Sequence, residues 1–229
     1  MNDSSSFAKL IHAVVRGETV VVSRMVAKSP DLATMHSAAG ATRQDSTAWF
    51  FEAFAHYMYE GDTALHMAAA AFHRSAAEAL ITHGALCRAR NRRGAEPLHY
   101  AADANHWQPA AQKDTIEYLL AVGADPNALD KSGVSPLHRA VRTRASAAVR
   151  ALLAGGADVS ARNRSGSTPL HLAVQDTGRG GAGSGRARSE QEKIIAILLD
   201  AGARAADTDS KGKSVLEASS SEQIRRLLK

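Results

Sequence analysis

Histidine is the residue type in this sequence with the widest chemical range, because imidazole binds metal ions and transfers protons near neutral pH. The chain of 229 residues contains ten histidines. Four of them end a recurring tetrapeptide. Others, such as His73, His83 and His106, share no metal-ligand spacing with acidic residues or cysteine. We therefore predict no metal site.

Nucleophilic catalysis has no positive support in the sequence. No Gly-x-Ser-x-Gly elbow is present, and serine, histidine and aspartate occur without the arrangement of a catalytic triad. The single cysteine, Cys87, is followed by Arg88 and Arg90, which could lower the pKa of its thiol, although an isolated thiol is more often incidental. It has no second cysteine with which to form an internal disulfide. We expect neither enzymatic activity nor a cofactor.

A glycine-rich stretch places Gly178, Gly180 and Gly183 in the G-x-G-x-x-G order of a phosphate-binding loop. That motif requires a preceding strand and a helix that opens at its last glycine. Here the preceding element is predicted to be a helix, and no Gly-Lys-Ser/Thr follows. We interpret residues 178–189 as a flexible linker between paired helices.

Composition and charge narrow the class of protein. Hydrophobic residues make up 45% of the chain and aromatic residues 5%, and the abundance of alanine favours closely packed helices. The formal net charge of +5 is mild and does not by itself indicate nucleic-acid binding. No apolar run approaches the ~18 residues of a membrane span, and the polar start does not resemble a secretory signal. We expect a cytoplasmic protein with no membrane association.

The strongest signal is an internal repeat. Its tetrapeptide recurs at intervals of 33, 39 and 33 residues, and a degraded copy follows 46 residues later. A glycine lies two residues before each copy, and each complete copy continues to an aliphatic pair and another glycine, as in Leu152-Leu153 and Gly156. The copies are Thr63-Ala64-Leu65-His66, Glu96-Pro97-Leu98-His99, Ser135-Pro136-Leu137-His138, Thr168-Pro169-Leu170-His171 and Ser214-Val215-Leu216-Glu217.

The chemistry of the repeated residues predicts a pair of helices. Serine or threonine can cap a helix N-terminus through its side-chain oxygen, and proline fits the first helical position, where no N–H is required. The leucine and the alanines that follow form an inner helix. The aliphatic pair closes a second helix, which the later glycine ends in a left-handed conformation.

The period, the tetrapeptide and the glycines resemble the ankyrin repeat family, with the look of bacterial ankyrin-repeat proteins. The resemblance covers roughly residues 61–229 and, more weakly, 7–32. It implies an all-α solenoid of stacked helix-turn-helix units in a single domain, 1–229. We divide the chain into an N-terminal cap (7–32), an aromatic insertion (33–60), repeats (61–93, 94–132, 133–165 and 166–211) and a C-terminal cap (212–229).

The same resemblance gives the repeat histidines a structural role. In this family the ring hydrogen-bonds to backbone and ties adjacent units together. This role is expected for His66, His99, His138 and His171.

The aromatic insertion, residues 33–60, departs most from the repeat. Six of the eleven aromatic residues of the chain lie between positions 49 and 59. Read as a helix, this segment is apolar on all sides, so it should be largely buried or bound. Three interpretations stay open. The segment is a plug over the first regular repeat, with Trp49 buried, an aromatic anchor for a partner, or a disordered segment.

A second insertion, residues 105–114, lengthens the turn between paired helices. Insertions lie on one face of a solenoid and can contact a ligand. Trp107, beside Pro109, suits that role, but a locally packed loop is the alternative interpretation.

The resemblance also implies a contact face, because ankyrin solenoids bind other proteins through the concave surface made by turn tips and inner-helix ends. Nine of the 22 positions assigned to that surface from the second regular unit onward are basic, and two are acidic. The first regular unit is instead aromatic and weakly acidic, with Glu60 and Asp62. The candidate partner-binding residues are Arg90, Arg92, Arg93, Lys131, Arg142, Arg162, Arg164, Tyr57, Tyr59 and Trp107.

We predict a monomeric, non-catalytic protein-interaction module whose concave face binds a partner with an acidic surface. The alternative is that the basic face binds nucleic acid or another phosphate-containing ligand. Aromatic residues are missing from the basic stretch, so platforms for base stacking are absent and nucleic acid is the less favoured ligand.

Overall fold

The computed structural model describes residues 3–103, 107–175, 185–219 and 221–229. The glycine motif at Gly178, Gly180 and Gly183 lies outside the described residues, as do Asn105 and His106 of the second insertion. Most of the described chain is helical, which confirms the predicted fold class. Its helices are α1 (Asp3–Val15), α2 (Thr19–Lys28), α3 (Asp31–Thr34), α4 (Ala64–Ala70), α5 (Arg74–Thr82), α6 (Pro97–Ala101), α7 (Pro109–Ala121), α8 (Pro136–Arg142), α9 (Ser146–Ala154), α10 (Pro169–Ala173), α11 (Gly185–Asp200), α12 (Val215–Ala218) and α13 (Glu222–Leu227).

Helices pair along the chain as the repeat predicts. Helices α4 to α11 form the four repeat pairs, α1 and α2 form the N-terminal pair, and the short α12 and α13 end the chain. The capping chemistry is present: the side chains of Ser135 and Thr168 accept from the N–H of His138 and His171, and a proline follows each capping residue. Within the described ranges, no helix combines the length and the apolar character needed to cross a bilayer.

The chain divides into two compact units. The first comprises Met1–Ala101 with Asn105–Asp125, and the second comprises Ala102–Ala104 with Pro126–Lys229. In the first unit, α4 packs between α1 and α6, while α5 packs between α2 and α7. In the second unit, α10 packs on α8 and α11 packs on α9. Fully buried repeat leucines, such as Leu65 and Leu170, form the core of each unit. The single domain 1–229 stays a prediction.

The glycine before each tetrapeptide has a steric reason. Gly133 has a φ of +70° and Gly166 a φ of +71°, values that favour glycine. A Cβ at Gly133 would lie 2.9 Å from the backbone nitrogen of Arg164, and a Cβ at Gly166 would lie 2.5 Å from that of Ser210. At these two glycines, successive turns therefore approach too closely for any other residue, whereas a Cβ at Gly212 would meet nothing within 4 Å.

The aromatic insertion is not a helix, so that interpretation was wrong. It contains two short strands, β1 (Phe50–Phe51) and β2 (His56–Tyr57), paired antiparallel with Phe50 opposite Tyr57. Single 3₁₀ turns precede β1 and separate the strands. Ala55, with a φ of 49°, reverses the chain between the strands. Aromatic residues favour extended backbone, which explains why strands form here in place of a helix. The reversal at Ala55 then lets side chains of the hairpin lie on its two opposite faces.

The other two insertions partly lengthen helices. Helix α7 has 13 residues, against 9 in α5, so residues 109–114 extend a helix and do not form a turn. Helix α11 begins at Gly185, so the predicted flexible linker was wrong over residues 185–189. Buried Ala187, Gln191 and Ile194 share one face of α11, and their packing holds its first turns in place.

Candidate functional site

The repeat histidines are built into the backbone, as the family resemblance implied. In His138, Nδ1 accepts from the N–H of Ser135 at 3.3 Å, and Nε2 donates to the carbonyl of Ser167 in the next repeat at 3.1 Å. Burial lowers the pKa of His138 by more than the hydrogen bond to Ser167 raises it. The ring is therefore neutral at neutral pH. His66 and His171 donate in the same way, to Ala95 at 3.1 Å and Lys213 at 3.3 Å. These contacts confirm the structural role for His66, His138 and His171.

The described part of the chain contains no site built for metal binding or for thiol chemistry. It contains no group of three His, Cys, Asp or Glu side chains able to hold a metal ion. Cys87 is half-buried, its Sγ donates to the carbonyl of Val122 at 3.4 Å, and burial raises the pKa of the thiol. The expected net lowering by neighbouring arginines is wrong, because burial and the Glu96 carboxylate raise the pKa of the thiol by more than Arg88 and a backbone hydrogen bond lower it.

Four of the predicted contact residues do come together, in the first unit. Tyr57, Tyr59, Arg92 and Arg93 line one cleft with Arg43, and its volume is about 360 Å³. We call it the arginine–tyrosine cleft. The complete lining is Ala41, Thr42, Arg43, Ser46, Tyr57, Tyr59, Arg92 and Arg93.

Two segments of the chain build this cleft, the aromatic insertion and the turn before α6. The backbone N–H of Arg92 donates to the carbonyl of Glu60 at 3.0 Å, which joins the turn to the end of the insertion. The guanidinium of Arg92 donates to the carbonyl of Ala41 at 2.6 Å and lies 3.5 Å from the Glu60 carboxylate. The guanidinium of Arg93 lies over the Tyr59 ring, 4.7 Å from its centroid. Arg92 and Arg93 are therefore held in place before any ligand arrives.

A buried carboxylate supports the floor of the cleft. Asp62 is fully buried and accepts from the Tyr59 N–H at 2.6 Å, from Asn91 Nδ2 at 2.8 Å and from the Tyr100 hydroxyl at 2.9 Å. Asn91 in turn accepts from the N–H of Arg93 at 2.9 Å. The expectation that Asp62 makes this end of the surface weakly acidic is therefore wrong, because the insertion covers it.

The arginine–tyrosine cleft has more positively charged side chains than carboxylates paired with them. Glu60 lies beside Arg92, but among the described residues neither Arg43 nor Arg93 has an ion pair. No carboxylate lines the cavity. Both unpaired arginines are exposed to solvent. The sequence does not predict Arg43 as a contact residue, because it lies in the part of the insertion before Tyr57, where the repeat register assigns no contact positions.

The remaining predicted contact residues have varied surroundings. Arg90, in the first unit, forms an ion pair with Glu96 at 3.0 Å. In the second unit, Arg142 lies 3.8 Å from Asp103, and Arg162 donates to the carbonyl of Gly166 at 2.9 Å. Lys131 and Arg164 are exposed and have no ion pair within the described ranges. Trp107 is 48% exposed. Arg162 also lies 3.9 Å from Asp207, so acidic neighbours reduce the charge expected at Arg90, Arg142 and Arg162.

An apolar pocket of about 380 Å³ lies between α1 and the insertion, with Phe7, Ile11, Trp49, Phe51 and Met58 in its wall. Trp49 is half-buried, so the expectation that it is buried is wrong. Phe54 and Met58 are buried, as a plug requires, while Phe50 is 37% exposed. The insertion therefore covers the first unit with some of its aromatic residues and presents others to solvent.

Comparison with known proteins identifies the repeat. A family model for three copies of the ankyrin repeat matches residues 10–128, and a model for many copies matches residues 119–173. A stretch of 82 residues is 42% identical to the E3 ubiquitin-protein ligase KEG of Arabidopsis thaliana. That match covers 36% of this chain but 5% of the plant protein.

Proposed function

Because the chain belongs to the ankyrin repeat family, we propose that it is a non-catalytic protein-interaction module whose partner presents an acidic surface. Ankyrin repeats in general mediate protein–protein interaction, and the family is generally non-catalytic. The ligase activity in the name of the plant relative belongs to that protein, of which this chain matches 5%, so we propose no ligase activity here. We propose that the module acts as a monomer in the cytoplasm.

The proposal of an acidic partner rests on a single observation, the arginine–tyrosine cleft. Its wall contains three arginines and no carboxylate, and Glu60 is the one acidic side chain paired with them among the described residues. Like charges held together raise the free energy of the unbound state, and an acidic partner would remove that cost. Arginine recognises carboxylates through a planar fork of donors, which suits this partner.

The composition of the cleft also matches that of interfaces. Arginine and tyrosine are enriched among residues whose truncation weakens binding most. Tyr57 and Tyr59 are half-buried, with ring centroids 6.4 Å apart, so they offer rigid apolar area beside the charges. Arg92 and Arg93 are fixed by Ala41 and Tyr59, which reduces the conformational entropy lost on binding. Lys131 and Arg164, in the second unit, stay predicted contact residues outside the cleft.

Charge reversal tests the proposal. In the test variant, Arg43→Glu and Arg93→Glu are combined, because neither side chain makes an ion pair in the described structure. The matched control combines Lys131→Glu and Arg164→Glu, which changes net charge equally on exposed turns of the second unit. Each immobilised protein is used to capture partners from a cell lysate of the source organism, and mass spectrometry quantifies them.

We expect wild type and the control to retain the same acidic protein, and the test variant to retain it at least tenfold less (about 1.4 kcal/mol). Circular dichroism of the variants confirms that both remain helical. Equal retention by the two variants would show that the cleft is not the contact. Steeply salt-dependent binding of random duplex DNA, with no protein captured, would favour the nucleic-acid alternative.

A further inference from the structure

We propose that the arginine–tyrosine cleft recognises a phosphorylated side chain of the partner. This inference rests on the proposed function, because it specifies which anion of an acidic protein enters the cleft. It is carried by the charge, the donor chemistry and the size of the cavity.

The charge of the cleft matches a dianion better than a carboxylate. Arg43, Arg92 and Arg93 contribute three positive charges, and Glu60 is the one acidic group paired with them in the described structure. Two charges are therefore uncompensated. A carboxylate carries one negative charge, whereas a phosphorylated side chain carries about −1.5 to −2 at neutral pH. A single phosphoryl group would neutralise the cleft, and a single glutamate would leave it positive.

The groups that line the cleft are mainly hydrogen-bond donors. Guanidinium groups can only donate, and the hydroxyls of Thr42, Ser46, Tyr57 and Tyr59 donate to an anion. Arg93 has one face over the Tyr59 ring, so its edge N–H groups are the part that can reach a ligand. A phosphoryl group offers three acceptor oxygens, and clusters of arginine fit such groups through bidentate hydrogen bonds.

The cavity is large enough for more than an ion. A volume of about 360 Å³ lies within the range of small-ligand pockets, so it can admit the carbon atoms of a side chain as well as the phosphoryl group. The rings of Tyr57 and Tyr59 line it on the insertion side, with centroids 6.4 Å apart. These rings can contact the apolar part of a phosphorylated residue while the arginines hold its charge.

The test uses degenerate peptide libraries that differ at one fixed central position. Four libraries carry phosphoserine, phosphotyrosine, glutamate or serine there, with the same random flanks and a fluorescent label. Binding to the 229-residue chain is measured by fluorescence anisotropy. At least one phosphorylated library is expected to bind tenfold or more tightly than the glutamate library, and inorganic phosphate is expected to compete with it.

Two conservative variants tie the preference to the cleft. Arg43→Gln and Arg93→Gln should each abolish most of the difference between phosphorylated and glutamate libraries, because each removes one uncompensated charge. Arg150→Gln is the control, since Arg150 is an exposed arginine of α9 outside the predicted contact residues and has no ion pair in the described part of the chain, and it should keep the preference.

Three results would overturn the inference. They are equal binding of the glutamate and phosphorylated libraries, a phosphate preference that survives both cleft variants, and equally effective competition by random duplex DNA. The proposed function fails separately, when cleft charge reversal leaves capture of acidic proteins unchanged. If the unmodified protein shows no phosphate preference, but cleft charge reversal does weaken capture of acidic proteins, this inference fails and the proposed function stands.

Discussion

At the residue scale, the repeat histidine connects one helix N-terminus to the next repeat. Its Nδ1 accepts from the capping residue, and its Nε2 donates to a carbonyl about 29 residues further along the chain, as His138 does to Ser167. The sequence predicts the helix cap, because Ser, Pro and His lie within four residues. The prediction of the long-range hydrogen bond rests on the family resemblance, because residue spacing alone does not show which carbonyl accepts from the ring.

Replacement of His138 by alanine should destabilise the protein. The substitution leaves the buried Ser135 N–H without its partner, at a cost of roughly 1–3 kcal/mol. It also removes one of two donors to the Ser167 carbonyl, which keeps its bond from the N–H of Asn163. Urea denaturation followed by circular dichroism measures the change. His83→Ala is the control, because that ring bonds within its own helix, to Ala79, and should cost less. Equal stability of His138→Ala and wild type would contradict the structural role.

Glu96 is the one capping residue of the complete repeats that is not serine or threonine. It is 1% exposed, and its Oε2 has no hydrogen-bond partner in the described structure. Burial raises the pKa of Glu96, although Arg90 and Arg88 oppose the shift. A raised pKa means that the folded chain binds the proton more tightly than the unfolded chain. The resulting penalty is small below the ordinary value of 4.5 and grows as the pH rises through it.

Glu96→Thr should therefore stabilise the protein at neutral pH. The threonine removes a buried carboxylate and supplies the capping hydroxyl found at Thr63 and Thr168, for a gain of about 1 kcal/mol. The gain should shrink near pH 4, where the glutamate is protonated. Thermal unfolding at pH 7 and pH 4 gives both values. A variant less stable than wild type at pH 7 would show that the pair with Arg90 outweighs the burial cost.

At the element scale, the repeat helices follow from local chemistry and the insertion does not. Capping residues, prolines and glycines predict where helices such as α8 and α10 begin. The insertion instead depends on distant backbone partners. Ser37 N–H donates to the carbonyl of Asp62 at 2.8 Å, and Met58 N–H donates to that of Trp49 at 2.9 Å. Its hairpin therefore could not be read from periodicity, and a helix was predicted in its place.

Two phenylalanines of the insertion should differ in their effect on stability. Phe54 is 2% exposed and its ring stacks on Phe51 with centroids 5.8 Å apart, whereas Phe50 is 37% exposed. Phe54→Ala should lower the free energy of unfolding by roughly 3–5 kcal/mol, because it opens a cavity under the insertion. Phe50→Ala should cost less than ~1 kcal/mol. Chemical denaturation of both variants measures these changes. If the insertion could detach from the rest of the protein, Phe54→Ala would leave the free energy of unfolding unchanged.

At the scale of the whole molecule, the repeat register predicts part of the proposed site. It selected Arg92 and Arg93, because turn positions in ankyrin repeats contact partners, and it placed Tyr57 and Tyr59 nearby. It could not find Arg43, which reaches the cleft through the fold of the insertion. It also counted Arg90 and Arg142 as available charge. Sequence position does not reveal that Glu96 and Asp103 lie beside them.

The central claim is that the partner binds at the arginine–tyrosine cleft. Hydrogen–deuterium exchange of the protein, alone and with its captured partner, tests this claim most directly. The backbone around the cleft includes the N–H of Arg92, bonded to Glu60, and the N–H of Ala41, bonded to Met58. The predicted result is slower exchange of peptides covering residues 41–46, 57–59 and 92–93 in the complex. Slower exchange confined to the turns that carry Lys131 and Arg164, with those three segments unchanged, would contradict it.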